Sequence, residues 1–193
     1  RIANDGAGEF MATTVSIPND EIKGKIIGKE GRNIRAFERA SGVELIVDDT
    51  PGVITISSFD PVRRQVARIA LENLIIDGRI QPAKIEEFVE KAKEDINKII
   101  KQKGEEAVYE CGIFNLDPRV VAILGRLHFR TSYGQNVLAH SVEMAHVGGI
   151  IAEELGADVA VAKAGCLVHD IGKALTHEVQ GTHVEIGMRI LQK

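Results

Sequence analysis

In the stretch 158–173 a histidine and an aspartate directly follow a long apolar run. Within residues 159–168 the only charged side chain is Lys163, a pattern that predicts a buried helix. A base and an acid at the end of a buried helix carry a large desolvation cost unless a partner offsets it. Neutral imidazole and ionised carboxylate are good ligands for divalent metals. His169 and Asp170 are therefore a candidate metal-binding pair.

Composition limits the classes of protein to which the chain can belong. Its 193 residues, 44% hydrophobic and 27% charged, are typical of one large or two small globular domains. With 24 basic and 28 acidic residues the net charge is −4, so any nucleic-acid contact must use a local basic patch. Two cysteines are too few for a disulfide framework, which favours a reducing environment.

No targeting or membrane-spanning segment is recognisable in the sequence. No uncharged apolar run approaches about 18 residues, and there is no signal-peptide pattern. We therefore expect a cytoplasmic location and no membrane contact by this chain itself. The first residues are small and polar and include glycine, so we expect the stretch 1–11 to be flexible.

Residues 12–78 carry strand and helix signals in the order β-α-α-β-β-α. Strands are predicted over 13–18, 43–47 and 53–57, and the turn between the last two makes them a hairpin. Helices are predicted over 21–27 and 32–40, with Asn19 and Asp20 at the N-cap of the first. A longer helix is predicted to begin at Asp60-Pro61 and to stop at Asp77-Gly78.

The first two of these helices are joined by a specific motif, Ile26-Ile27-Gly28-Lys29-Glu30-Gly31-Arg32-Asn33-Ile34. It resembles the type I KH domain, in which an apolar pair precedes a Gly-x-x-Gly loop and an isoleucine lies on the next helix. Such a loop lets a nucleic-acid backbone approach backbone amides and a helix N-terminus. The resemblance implies that single-stranded RNA is bound by Lys25, Gly28, Lys29, Glu30, Gly31, Arg32 and Arg35. A tight turn without a ligand, or a protein-contact role, is the alternative.

The charge around this motif is only modestly positive. Between residues 20 and 40 there are six basic side chains and four acidic ones, a local net of +2. The basic residues are Lys23, Lys25, Lys29, Arg32, Arg35 and Arg39. Glu30, inside the loop, is expected to weaken phosphate binding.

Residues 79–112 are interpreted as a connector containing an amphipathic helix. Apolar residues recur at helical spacing among lysines and glutamates after Pro82, namely Ile85, Phe88, Val89, Ala92, Ile96, Ile99 and Ile100. This stripe should pack on the second unit or on another chain. Residues 104–112 are predicted to be a loop in which Cys111 is a small, partly buried residue.

Residues 113–193 carry only helix signals. Because residues 12–78 carry both strand and helix signals, the whole chain is predicted to be an α+β protein. Helices are expected from Asp117-Pro118 to about residue 127, over about 135–155, over 159–168 and from His183 onward. His140 lies on an apolar stripe, where a lone histidine is more often a core residue. Antiparallel packing across the short turn at 156–157 would bring His140 to His169 and Asp170.

This second unit resembles the HD-domain metal phosphohydrolases, with His140 as the first ligand and His169-Asp170 as the pair that names the family. The order of KH domain, helical connector and HD domain, together with residues 130–137 and 182–187, resembles the bacterial ribonuclease Y family. Members of that family are membrane-anchored endoribonucleases that initiate messenger RNA decay.

The resemblance implies a site and a cofactor. A divalent ion, Mn, Mg or Zn, would be held by His140, His169 and Asp170, with His183 as a further candidate ligand. Asp170 and Lys173 would act in phosphodiester hydrolysis. The resemblance also implies a homodimer, RNA-decay proteins as partners and attachment of the whole protein to the cytoplasmic face of the cell membrane.

Two parts of the family pattern are missing from the sequence: the N-terminal membrane segment with its coiled coil, and the second half of the HD domain with its last aspartate ligand. We therefore expect residues 113–193 to be the N-terminal part of an HD domain, and the chain alone to be inactive. Two other functions stay open. One is a phosphodiesterase for cyclic nucleotides or dinucleotides, and the other is a non-catalytic RNA-binding or assembly fragment.

Overall fold

The structure of the chain, a computed structural model, describes residues 11–192. Ten of the eleven residues predicted to be flexible, 1–10, lie outside the described residues. The chain divides into two compact units, Arg1–Asn97 and Lys98–Lys193. Within residues 11–192, no helix has the length and apolar character needed to cross a membrane.

The first unit has the predicted order β-α-α-β-β-α, and the ends of its elements lie within about two residues of the predicted ones. Its elements are β1 (Ala12–Ser16), α1 (Asp20–Ile27), a 3₁₀ turn (Lys29–Gly31), α2 (Arg32–Ser41), β2 (Glu44–Ile46), β3 (Val53–Ser57) and α3 (Pro61–Asp77). The strands form an antiparallel sheet in the order β1-β3-β2, with Val15 opposite Ile54 and Leu45 opposite Ile56.

Side-chain caps set the helix starts in this unit. The Asn19 side chain accepts the N–H of Ile22 at 2.9 Å, and Asp60 accepts the N–H of Val62 at 2.8 Å. The helices pack on one face of the sheet around a core that includes Val15, Ile26, Phe37, Leu45, Ile54, Ile56, Leu71 and Leu74. Because Ile26 and Phe37 are both buried, this core fixes α1 and α2 and hence the loop between them.

Helix α4 (Pro82–Cys111) is longer than predicted. The predicted amphipathic stripe is confirmed by the burial of Ile85, Val89, Ala92, Ile96 and Ile100. The predicted loop over 104–112 is wrong, because the helix continues to Cys111. A Cβ at Gly104 would collide with the carbonyl of Val121. Gly104 therefore allows a close approach between helices and does not end α4.

The second unit is helical, as predicted, apart from a two-stranded ribbon. After the C-terminal part of α4 its elements are α5 (Pro118–Arg126), a 3₁₀ turn (Leu127–Phe129), β4 (Thr131–Ser132), β5 (Gln135–Asn136), α6 (Val137–Glu154), α7 (Val159–Val168), a second 3₁₀ turn (Ile171–Ala174) and α8 (His183–Leu191). Its core includes Leu124, Leu127, Val137, Leu138, Ala145, Leu167 and Ile171.

The prediction that α7 is a buried helix is wrong for the described residues. Only Leu167 and Val168 of this helix are buried, and Val161 is 67% exposed. Helix α6 packs along one side of α7, where a Cβ at Gly148 would lie 2.5 Å from the Cys166 sulfur. A helix that is apolar on all sides is buried only where neighbouring elements cover every side. Within the described residues, part of the surface of α7 is left uncovered.

Candidate functional site

Helices α6 and α7 bring together the three residues that the sequence singled out as metal ligands. The rings of His140 and His169 have centroids 5.5 Å apart, at an angle of 67°. One ligand atom from each of His140, His169 and Asp170 lies within 4.8 Å of the others. The predicted antiparallel packing of the two helices is confirmed by this cluster and by the contact at Gly148.

The start of α6 fixes the position of His140. The Asn136 side chain caps the helix by accepting the N–H of Ala139 at 3.1 Å, and it donates to the carbonyl of His128 at 2.6 Å. His140 therefore lies in the first turn of α6. On the other helix, the Asp158 side chain accepts the N–H of Val161 at 3.0 Å and caps α7.

The orientation of His169 leaves one ring nitrogen free for a ligand. Its Nδ1 lies 2.7 Å from the carbonyl oxygen of Cys166, which can only accept a hydrogen bond. In the neutral ring Nδ1 therefore carries the proton and Nε2 carries the lone pair. That Nε2 lies 3.3 Å from Oδ2 of Asp170. Two electron-rich atoms at this distance repel each other unless a cation or a proton lies between them.

Asp170 is buried, with 6% of its surface exposed, yet it is held in the ionised form. Burial by itself raises the pKa of this carboxyl, but the hydrogen bond from Lys173 and the positive charge of its ammonium outweigh burial, so the pKa lies below its ordinary value. Lys173 Nζ donates to Oδ2 at 2.9 Å, and His183 Nε2 lies 3.7 Å from Oδ1.

The residues present fit a divalent ion. Metal–ligand bonds of about 2.1 Å put three evenly spaced ligands of one ion about 3.6 Å apart. Since the ligand atoms of His140, His169 and Asp170 lie within 4.8 Å of one another, movements of at most about 0.7 Å per ligand would close the set. Two imidazoles and a carboxylate form a mixed nitrogen and oxygen donor set, which suits several first-row metals.

The segment after Asp170 leaves the helical path of α7. Because α7 ends at Val168, helical spacing does not determine the position of Lys173, which lies in the 3₁₀ turn Ile171–Ala174. A Cβ at Gly172 would collide with the backbone carbonyl of His183. This glycine therefore lets the turn pack directly on the start of α8, next to the cluster.

Two further histidines of the second unit do not join the cluster. His146 lies 3.6 Å from a carboxylate oxygen of Glu110. His128 packs edge-to-face against Phe129 with centroids 5.0 Å apart. Burial, followed by the nearby charge of Lys103, lowers the pKa of His128.

The Gly-x-x-Gly loop of the first unit has an unusual backbone. Gly28 and Gly31 have φ values of 74° and 71°, and Glu30 has a φ of 55° although it is not glycine. At Gly28 a Cβ would also lie 2.7 Å from the Asn33 side chain. No side chain caps the first turn of α2, which leaves backbone N–H groups at this helix start available to an anion.

Asn33 is a positioning residue that the sequence analysis missed, although it lies within the motif. Its Nδ2 donates to the carbonyl of Lys25 at 2.8 Å and to that of Ile80 at 3.0 Å. The side chain is buried, so these bonds tie the end of α1 and the segment after α3 to the start of α2. The amide side chain of Asn33, within a motif of apolar, glycine and charged residues, is the only sequence signal of this role.

The basic residues near the loop differ in how they are engaged. Lys29, Arg32 and Arg35 are exposed. Lys25 is exposed too, but it lies 3.6 Å from Glu21. Lys23, which contributes to the predicted patch, donates to the carbonyls of residues 48 and 50 at 2.6 and 2.9 Å and so fixes the β2–β3 turn.

Comparisons with known proteins agree with both units. A family model described as KH domain matches residues 12–73, and one described as HD domain matches residues 137–193. Ribonuclease Y of Symbiobacterium thermophilum and that of Thermoanaerobacter pseudethanolicus are each 58% identical to the chain over all 193 residues. Ribonuclease Y of Alkaliphilus metalliredigens is 56% identical over the same length.

The chain spans 37%, 38% and 41% of the lengths of these three relatives, respectively. No solved structure matches it significantly. The identity exceeds one half over the full length of this chain, and a family model matches part of each unit. The chain is a homologue of ribonuclease Y in which a KH domain is followed by a helical HD-domain region.

Proposed function

We propose that this chain is the RNA-binding region and part of the hydrolytic region of a metal-dependent endoribonuclease that initiates messenger RNA decay. The KH unit binds single-stranded RNA and the HD region hydrolyses its phosphodiester bonds. The observation that carries the proposal is the cluster of His140, His169 and Asp170, whose ligand atoms lie within 4.8 Å of one another. The similarity to three relatives named ribonuclease Y supports the same activity.

In this proposal His140 and His169 each give a ring nitrogen to a divalent ion, Mn, Mg or Zn, and Asp170 gives a carboxylate oxygen. When bound, the ion activates water for attack and neutralises charge on the scissile phosphate. His183 is a further candidate ligand, because its Nε2 lies 3.7 Å from Asp170 Oδ1.

The neighbouring residues orient and charge this donor set. The carbonyl of Cys166 holds the His169 ring so that Nε2 faces the cluster. Lys173 keeps Asp170 ionised, and its ammonium, with 19% of the side chain exposed, is close enough to the cluster to stabilise negative charge on a bound phosphate. Asp170 and Lys173 are accordingly the proposed catalytic residues of this chain.

In the KH unit, the RNA backbone approaches the loop 28–31, where Gly28 and Gly31 leave the corners without side chains. Lys25, Lys29, Arg32 and Arg35 supply positive charge, and Glu30 opposes it. We assign the KH domain to residues 12–78, the connector to 79–112 and the HD region to 113–193.

For the whole protein we propose a cytoplasmic location with attachment to the inner face of the cell membrane. We also propose a homodimer and RNA-decay proteins as partners. These properties follow the kinship with ribonuclease Y and are testable by cell fractionation and by sedimentation of the intact protein.

The proposed function is tested in the Symbiobacterium thermophilum relative, which is 58% identical to the chain. The matching segment of that relative is replaced by these 193 residues. With Mn present, the exchanged protein should cleave single-stranded RNA endonucleolytically, and the same protein carrying His169→Ala should not. The unmodified relative controls for the exchange itself. Hydrolysis of a cyclic dinucleotide without cleavage of RNA would contradict the proposal and favour a small-molecule phosphodiesterase.

A further inference from the structure

A groove of about 660 Å³ lies on the outer side of α2, next to the Gly-x-x-Gly loop and the first turns of α4. Six of its eight lining residues are charged: Lys29, Glu30, Arg32, Arg35, Arg39 and Glu86. Four of these are cations and two are anions, so the lining has a net charge of +2 in a chain whose net charge is −4. Every residue that lines it belongs to the first unit.

The four cations of the groove are not neutralised within residues 11–192. None of their side chains has an ion pair or a hydrogen bond there, unlike other cations of the same unit. The paired ones are Lys25 with Glu21, Arg68 with Glu72, Arg79 with Asp77, and Lys84 with Glu87. Unpaired cations gathered along one groove create a local positive potential that attracts an anionic ligand.

The arginines form a row that begins at the loop. Arg32, Arg35 and Arg39 are spaced by three and four residues, which places them on one face of α2 over about 10 Å of helix axis. The guanidinium of Arg35 passes beside the loop, since a Cβ at Gly31 would lie 3.2 Å from its Nη1. The row therefore leads away from the loop along the helix.

We infer that single-stranded RNA bound at the Gly-x-x-Gly loop continues along the outer face of α2, where Arg39 contacts a phosphate beyond those held by the loop. This inference rests on the proposed RNA binding by the KH unit. A lining in which six of eight residues are charged, with a net charge of +2, favours a polyanion over an apolar protein segment. A loop of this kind holds about four nucleotides, so the contact with Arg39 requires a longer RNA.

The expected effect follows from the electrostatics of single strands. Each phosphate contact contributes about 0.7 to the magnitude of the slope of log affinity against log salt concentration. At 0.1 M salt, relative to 1 M, one contact therefore corresponds to about fivefold in affinity. Replacing Arg39 should therefore lower affinity for a long RNA about fivefold and reduce its salt slope by about 0.7, without changing affinity for a short RNA.

The test compares RNA binding by the unmodified 193-residue chain, by the variant Arg39→Gln and by the matched control variant Arg68→Gln. Arg68 loses the same charge on α3 of the same unit, away from the groove. Binding of a four-nucleotide and a ten-nucleotide pyrimidine RNA is followed by nuclear magnetic resonance titration, which detects weak complexes, over a range of salt concentrations. We expect Arg39→Gln to weaken only the longer RNA, Arg39→Glu to weaken it more, and Arg68→Gln to bind both as the unmodified chain does.

Each other outcome has a definite meaning. If the unmodified chain binds neither RNA, the proposed function of the KH unit fails and the inference fails with it. If the unmodified chain binds both RNAs but Arg39→Gln leaves the longer one unchanged, or weakens both equally, only the inference is overturned. Loss of binding to polyglutamate, with RNA binding intact, would assign the groove to an acidic protein segment and would likewise overturn it.

Discussion

Replacement of Gly172 by alanine should destabilise the second unit and loosen the candidate metal centre. A Cβ at this position would collide with the carbonyl of His183, at the start of α8. The three nearest atoms, the carbonyl carbon and oxygen of His183 and the nitrogen of Gly187, are all backbone, so no change of side-chain rotamer can relieve the contact. The turn that carries Lys173 must therefore move relative to α8, and Asp170 must move with it, because Lys173 donates to it at 2.9 Å.

The expected cost is that of overpacking a close backbone contact, about 1–3 kcal/mol in the free energy of unfolding. Gly165 provides a matched control, because it lies inside α7 and has no neighbour within 4 Å of an added Cβ. Alanine there should stabilise the protein by about 0.5–1 kcal/mol through helix propensity alone. The same chemical change should thus have opposite signs at positions seven residues apart.

Urea denaturation followed by circular dichroism measures both changes, and calorimetric titration with Mn²⁺ measures the effect on the site. Because the altered segment orients a ligand without being one, Mn²⁺ affinity should fall about tenfold or more in Gly172→Ala. It should not change in Gly165→Ala. If the two variants are equally stable and bind Mn²⁺ equally well, the close contact between residues 172 and 183 does not exist as described.

Three further substitutions test other parts of the account. His169→Ala should abolish Mn²⁺ binding while the far-ultraviolet circular dichroism stays unchanged, because the side chain is a proposed ligand with little apolar packing. Retained stoichiometric binding would exclude His169 from the site. Asn33→Ala should cost about 1–3 kcal/mol in urea denaturation, since the carbonyls of Lys25 and Ile80 lose their donor; an unchanged midpoint would mean that these bonds carry no net stability. Glu30→Asn should raise RNA affinity about threefold at low salt by removing a negative charge from the proposed phosphate-binding loop. Replacing Lys29 and Glu30 together by aspartate should weaken binding, and unchanged affinity in both variants would favour a protein-contact role for the loop.

The features that could be predicted from sequence are those encoded by adjacent residues. Capping at Asn19 and Asp60, and the positive-φ glycines 28 and 31, are local properties, so the KH elements were located within about two residues. The clustering of His140 with His169 and Asp170 was predicted because a short turn forces the helices on either side of it to pack antiparallel.

The features that could not be predicted depend on neighbours that are distant in sequence. A glycine such as Gly104 predicts a helix end from sequence. In the structure it is needed because the backbone of Val121 comes too close to leave room for a Cβ. Apolar residues on α7 indicate burial, but the number of packed neighbours decides it. Likewise, the carbonyl of Cys166 carries no side-chain signal, although it sets the tautomer of His169.

The proposed binding of a divalent ion by His140, His169 and Asp170 can be tested by a crystal structure of the chain grown with Mn²⁺, with data collected above and below the manganese absorption edge. We expect one strong anomalous peak within about 2.3 Å of a nitrogen of each histidine and an oxygen of Asp170. Absence of any peak among these three residues at full Mn²⁺ occupancy elsewhere, or a peak coordinated by other side chains, would contradict it.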